Sequence, residues 1–379
     1  MSQSPGLLVT LFAFVLVIGP LVFVHELGHY LVGRWCGVKA DEFSIGFGQE
    51  IFGFTDKRGT RWRFGWLPIG GYVKFAGDMD PSSRVDPDWL AMPAEERAKT
   101  FPAKPVWQRA LIVAAGPVTN FLVALIILAA YAMVLGEARV PTVIGLVEPG
   151  SAAAKAGLQV GDRITALGDR PVDRFEQMIA FVQLRPNQPV RISFTRAGEA
   201  RSADAVIGAT ELRDRFGNVT RIGRLGLGYD PRAIRFDRVS LIEAPGAALA
   251  KMGSILGMMR DVIGQILVGE RSVRELGGPL QIAKISGEQF SQGMSSFILL
   301  IALVSINLAV INLLPVPVLD GGHLLFYAIE AIRRRPVDPR LMEWAFRGGL
   351  AAVLALMVMV TFNDLGSFGL WSRLAGLIG

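Results

Sequence analysis

The chain has 379 residues, of which 51% are hydrophobic and 19% charged, with a formal net charge of +6. That balance argues against an ordinary water-soluble protein of this length, which needs more polar surface, so long apolar runs are read first as bilayer spans. The Lys and Arg residues sit in loops that flank apolar segments, a membrane-topology pattern rather than a nucleic-acid surface. Cys36 is the only cysteine, which excludes an intrachain disulfide and a Cys-based zinc cluster.

Taken in chain order, residues 6–33 open with an apolar run from Leu7 to Val24. No positive residue precedes this run and no small-residue cleavage site follows it, so it predicts a retained transmembrane helix rather than a signal peptide. Residues 34–105 are basic and hence cytoplasmic; Phe43 to Gly48 and Arg61 to Phe75 alternate aromatic or β-branched residues with Gly, which predicts strands and hairpins. Their apolarity suggests a hairpin that dips into the membrane, where its backbone must be satisfied by protein or a wet cavity. A second span covers 107–135 and contains Gly116, Pro117 and, one turn after Gly116, Asn120.

Residues 137–225 change character: strand, turn and short-helix signals from Val143 to Val172, then alternation from Val190 to Arg196, predict a small α+β domain. Residues 226–292 read as linker and amphipathic helices. Spans three and four cover 296–316 and 344–362, with a short basic loop at Arg333, Arg334, Arg335 and Arg340 between them. Both basic stretches belong on the cytoplasmic side, so four spans place both termini and the α+β domain in the periplasm of an inner-membrane protein.

The residues that carry chemistry cluster in two segments. His25-Glu26-Leu27-Gly28-His29 matches H-E-x-x-H, which sets two imidazoles four apart on one helix face with a carboxylate beside them. Zinc at such a site brings the pKa of water toward about 7, and Glu26 is placed to take the proton and pass it to a leaving amine. Two imidazoles and a carboxylate inside an apolar span cost several kcal/mol unless a metal or partners compensate. A third ligand is needed, and both Asp320 and His323 are available where Pro315 and Pro317 break the third span before Gly321 and Gly322. Asn307 and Asn312 lie on the same span, either joining helices or offering N–H groups to a substrate.

Together, the first-span motif, the run from Asn312 through Pro315 and Pro317 to Asp320 and His323, and the domain between spans two and three resemble the site-2 protease family over nearly the whole chain. The likeness is strongest to its regulator-of-sigma-E protease branch. It implies an intramembrane zinc metalloprotease in which His25, His29 and Asp320 bind Zn2+, Glu26 is the catalytic base, and Asn307 and Asn312 line the substrate site. The hairpin around Gly70, Gly71 and Tyr72 resembles the family's membrane-reentrant β element, which pairs with an extended substrate strand. Gly116 to Asn120 matches the family's second-span signature.

The stretch from Gly145 to Val172 resembles a PDZ domain, but the spacing leaves room for one such domain where well-studied members of the branch carry two. The resemblance implies single-span membrane proteins as substrates, such as an anti-sigma factor or signal-peptide remnants, in contact with membrane lipid. The expected architecture is therefore a multi-span α-helical membrane protein with four transmembrane helices, a reentrant β-hairpin and one periplasmic PDZ-like α+β domain. Its segments are 1–136, 137–225, 226–292 and 293–379. A pseudoprotease scaffold and a metal transporter are the rivals; the intact Glu26 weighs against the first, and a fourth span almost without polar residues against the second.

Overall fold

The computed structural model describes residues 5–77, 89, 92–213, 219–230, 235–269 and 278–367. The two chain ends, expected on the periplasmic side, lie outside the described residues. Among the described residues, four helices are long and apolar enough to cross a bilayer: Leu7–Trp35, Val106–Leu135, Met294–Asn312 and Arg340–Phe362. Each coincides with an expected span to within about one turn. The third stops earlier than its apolar run because Pro315 has no N–H and excludes helical backbone just before it. Large apolar side chains stand outward on these helices, among them Leu8, Ile126 and Val358, as a bilayer solvent requires. The protein is a multi-pass membrane protein.

The chain divides into two compact units, Met1–Ile127 with Gly278–Phe362, and Leu128–Gly277 with Asn363–Gly379. In the first unit, Ala13, Val17 and Leu21 of the first span pack with Phe297 and Val304 of the third. The strands Ala40–Thr55 and Arg61–Phe75 form an antiparallel hairpin with an uncommon register. Residues 42–45 pair twice, with Arg61 to Phe64 on one side and with Gly71 to Lys74 on the other. The hairpin therefore folds back on itself, and the segment 71–75 becomes an edge. Phe43 and Ile112 are fully buried in the cluster that joins this sheet to the first and second spans. Burying such a side chain contributes about 1.5–3 kcal/mol, which pins the edge strand beside the spans.

The second unit holds a four-stranded antiparallel sheet in the order Arg170–Pro171, Arg163–Leu167, Pro189–Arg196, Glu199–Val206. Val190, Ile192 and Phe194 alternate inward and meet Phe175, Met178 and Val182 of the helix Phe175–Gln183, a half-buried strand against an amphipathic helix. Helix Ala244–Leu267 is tied to this module by Asp261, which accepts from Arg170 and Arg185 at 3.0 and 3.3 Å.

Asp162 is the buried polar anchor of the sheet. Its side chain is 1% exposed and accepts from Arg196 Nε and Nη2 at 2.7 and 2.8 Å and from the Gln159 N–H at 2.8 Å. The Arg196 hydrogen bonds hold its carboxyl below the usual carboxylate range. A depressed pKa means that its stabilisation is complete above the unfolded-state value of about 3.9 and is lost as pH falls through the folded value. Asp162→Asn should lower the opening free energy of this sheet by about 2 kcal/mol at pH 7, read from amide hydrogen exchange at Ile164 and Ile192 in the full chain. The gap between the two proteins should narrow only below about pH 4; a gap already absent at pH 7 would contradict the assignment.

Candidate active site

The first span presents His25 and His29 one turn apart, toward the second span. There a bulky residue could not stand: a Cβ on Gly116 would lie 2.3 Å from His29 Nε2 and 2.8 Å from His25 Cε1. Gly28 plays the matching part on the first span, since a Cβ there would meet Thr119 Oγ1 at 2.3 Å. The two glycines let the helices approach until both rings are held from the second span. The ring of His29 places Nδ1 2.9 Å from the Ile112 carbonyl, and His25 Nδ1 lies 3.2 Å from the amide of Asn120.

Asp320 arrives from the other end of the unit, at the first residue of helix Asp320–Arg333. The chain between Asn312 and Asp320 is a tight turn that only glycine can follow. A Cβ on Gly321 would sit 2.3 Å from the Leu313 and Leu314 carbonyls, and one on Gly322 2.3 Å from that of Val316. Further along this helix, Glu330 accepts from Arg109 of the second span at 2.8 Å, and the same guanidinium lies over the Tyr327 ring. That pair fixes the helix that carries Asp320 against the span that carries Gly116.

The result is a convergence of electron-rich atoms. His25 Nε2 and His29 Nε2 are 3.2 Å apart, and they lie 3.2 and 3.6 Å from the Asp320 carboxylate oxygens. The three residues can offer ligand atoms within 4.8 Å of one another. Asp320 Oδ2 is buried with no hydrogen-bond donor among the described residues. Buried acceptors turned on one another are costly unless a cation lies among them, and two imidazoles with one carboxylate are a donor set that suits zinc. The residues present therefore fit the metal that the motif calls for.

Glu26 stands next to this group and shares with it a cavity of about 630 Å³. Gly70, Gly71, Tyr72, Asn312 and His323 also line that cavity. A Cβ on Gly71 would come within 3.1 Å of Glu26 Cγ, so the edge strand rests directly on the carboxylate's stem. Gly70 has φ +85°, where a side chain would be strained and would strike the Phe47 ring. Tyr72 donates to Glu42 at 2.7 Å and stacks on Phe47.

Of the candidate catalytic, metal-binding and substrate-binding residues, Asn307 alone is not brought to the cavity. It is exposed on the third span, because five residues of α-helix turn it about 140° away from Asn312. His323 lines the cavity but does not join His25, His29 and Asp320 in the ligand group. Conversely, Asn120 and Ser305 belong to the site without having been picked out for it. The signal for Asn120 was present in the Gly-Pro-x-x-Asn run, but its meaning depends on how closely two helices approach.

An H-E-x-x-H helix, a converging carboxylate and a cavity walled by apolar spans define a membrane metalloprotease. Comparison with known proteins agrees. The model of peptidase family M50 matches residues 13–356. A protein of Agrobacterium fabrum named as a zinc metalloprotease is 44% identical, over 93% of this chain and 95% of its own length. One of Rhizobium meliloti with the same description is 42% identical over 94% and 96%, and the metalloprotease MmpA of Caulobacter vibrioides is 35% identical over 98% and 99%. This chain belongs to peptidase family M50, the site-2 protease family, and is a zinc metalloprotease. A solved PDZ domain of an SdrC-like protein from Listeria monocytogenes matches 23% of this chain and 84% of its own at 20% identity, with a TM-score of 0.18.

Proposed function

We propose that this protein is an intramembrane protease that hydrolyses peptide bonds within the transmembrane segments of single-span membrane proteins. The observation that carries the reading is a single cavity lined at once by His25, Glu26, His29 and Asp320, by the strand Gly70 to Phe75, and by Asn312. A reacting group walled by apolar spans receives a segment that is itself apolar.

His25, His29 and Asp320 are the residues that hold zinc. Bound zinc supplies Lewis acidity, which polarises a scissile carbonyl and brings the pKa of water to about 7. Glu26 takes the proton from the attacking water and gives it to the leaving amine. The Asn312 amide, 3.4 Å from His25 Nε2, can donate to the charge that grows on the carbonyl oxygen.

A helical substrate shields its own peptide bonds, so it must unwind before attack. The edge at 71–75 is paired on one side with residues 40–45, and among the described residues no strand pairs with its other side. An extended substrate segment can add there as a further strand, with Gly70 and Gly71 allowing close approach and Tyr72 bounding it. Beyond this edge, Ile51, Phe52 and Trp66 expose apolar surface on the hairpin, which suits a reentrant element in contact with lipid.

The basic stretches at 34–105 and 333–340 orient the protein with these loops in the cytosol. The segment 137–225 is then a periplasmic PDZ-like domain that screens substrates by size or by a bound chain end, and both termini share its side of the inner membrane. The released fragments would be an anti-sigma factor's cytosolic portion or signal-peptide remnants. The test is cleavage of a single-span substrate by the full chain in liposomes, with the new termini mapped by mass spectrometry. Cuts inside the substrate's apolar segment are expected; cuts confined to its water-exposed flanks would overturn the reading.

A further inference from the structure

An imidazole can offer one nitrogen to a metal only when its hydrogen sits on the other, so whatever faces the far nitrogen decides whether the ring is ready. For His29 this is settled by a backbone carbonyl. Nδ1 lies 2.9 Å from the Ile112 oxygen, which can only accept, and Nε2 keeps its lone pair toward Asp320. His25 has no carbonyl in that position. Its Nδ1 faces the side-chain amide of Asn120, 3.2 Å away and fully buried.

An amide can turn either its oxygen or its NH2 to the ring, and hydrogen-bond chemistry decides between them. With the NH2 turned to His25, Nδ1 must accept and the ring hydrogen moves to Nε2, where it points at Asp320 Oδ2 and blocks coordination. In either orientation the other end of the amide has no partner among the described residues, so the choice rests on which ring nitrogen must face Asp320. With the oxygen turned to His25, Nδ1 donates and Nε2 is free. The backbone that carries this amide is held in place: Ser305 Oγ, itself fully buried on the third span, donates to the Asn120 backbone carbonyl at 2.8 Å.

We infer that Asn120 is a positioning residue for His25, its side-chain oxygen accepting the Nδ1 hydrogen and so holding the ring with Nε2 directed to the metal. Asn120 acts only through His25. The second span thereby orients both imidazoles, one by a main-chain carbonyl and one by a side-chain carbonyl, and Gly116 between them makes the room.

The inference rests on His25 being a zinc ligand, and the experiment separates the two claims. Zinc affinity of the purified full chain is measured by chelator competition, alongside the melting temperature of the zinc-stripped protein. Asn120→Leu should bind zinc about 10–100-fold more weakly with the zinc-stripped melting temperature unchanged. Asn120→Asp, which can still accept from Nδ1, should recover most of that loss. The unmutated protein gives a reading that depends on no variant: the nitrogen-15 shifts of zinc-loaded His25 should place the hydrogen on Nδ1.

Wild-type affinity in Asn120→Leu, equal losses in Asn120→Leu and Asn120→Asp, or a His25 Nδ1 without hydrogen would each overturn the positioning role. If His25→Ala loses zinc while Asn120→Leu does not, the ligand assignment stands and only the positioning role falls. If His25→Ala keeps wild-type affinity, both fall.

Discussion

Glu26→Gln is expected to lower cleavage of a reconstituted single-span substrate by about 10²–10⁴-fold while zinc stays bound at one per chain. Glutamine has the shape of the carboxylate and keeps its packing against Gly71, but it cannot take a proton. Glu26 also stands outside the ligand group of His25, His29 and Asp320, so its loss removes a proton acceptor and leaves the donor set intact. The same preparation gives both readings, turnover from fragment appearance and zinc from metal analysis. Retained turnover would remove Glu26 from its role. Loss of zinc together with turnover would make it a ligand or a structural support instead.

Asp320→Ala is expected to act on the other quantity. Structural zinc sites of four ligands bind with about 10–16 kcal/mol, so each ligand is worth about 3 kcal/mol and its removal weakens binding by more than about 100-fold. Asp320 supplies the only carboxylate of the group among the described residues. Turnover should vanish with the metal and should return in part at high free zinc. His323→Ala is the companion: His323 lines the cavity without joining the group, so zinc affinity should remain at the wild-type value. If His323→Ala loses zinc and Asp320→Ala does not, the third ligand has been misassigned.

Much of this site can be read directly from the sequence, and the reasons are physical. His25, Glu26 and His29 are local: their spacing alone sets them on one face of a helix. The spans are legible because a bilayer demands about 20 apolar residues in a row. Asp320 can be suspected because Pro315 and Pro317 break a helix at membrane depth, yet residue spacing alone leaves His323 available as well. What separates them is the turn through Gly321 and Gly322, which sets Asp320 and not His323 beside the imidazoles.

Other features depend on contacts that no local pattern encodes. The double pairing of residues 42–45 follows from a hairpin folding back on itself, and it turns 71–75 into an edge. The parts played by Gly116 and Asn120 exist only because two spans approach to within a glycine's width. Asn307 and Asn312 look alike in sequence, and helical rotation alone sends the first outward and the second into the cavity. Short-range spacing thus carries the motif, while the supports of the motif come from helix packing.

The ligand set can be measured in the unmutated protein. Zinc K-edge X-ray absorption on the full chain should fit two imidazole nitrogens with the remaining neighbours oxygen, from Asp320 and a solvent-accessible position. A third imidazole, which only His323 could supply, or a sulfur neighbour from Cys36, would contradict a zinc site built from His25, His29 and Asp320.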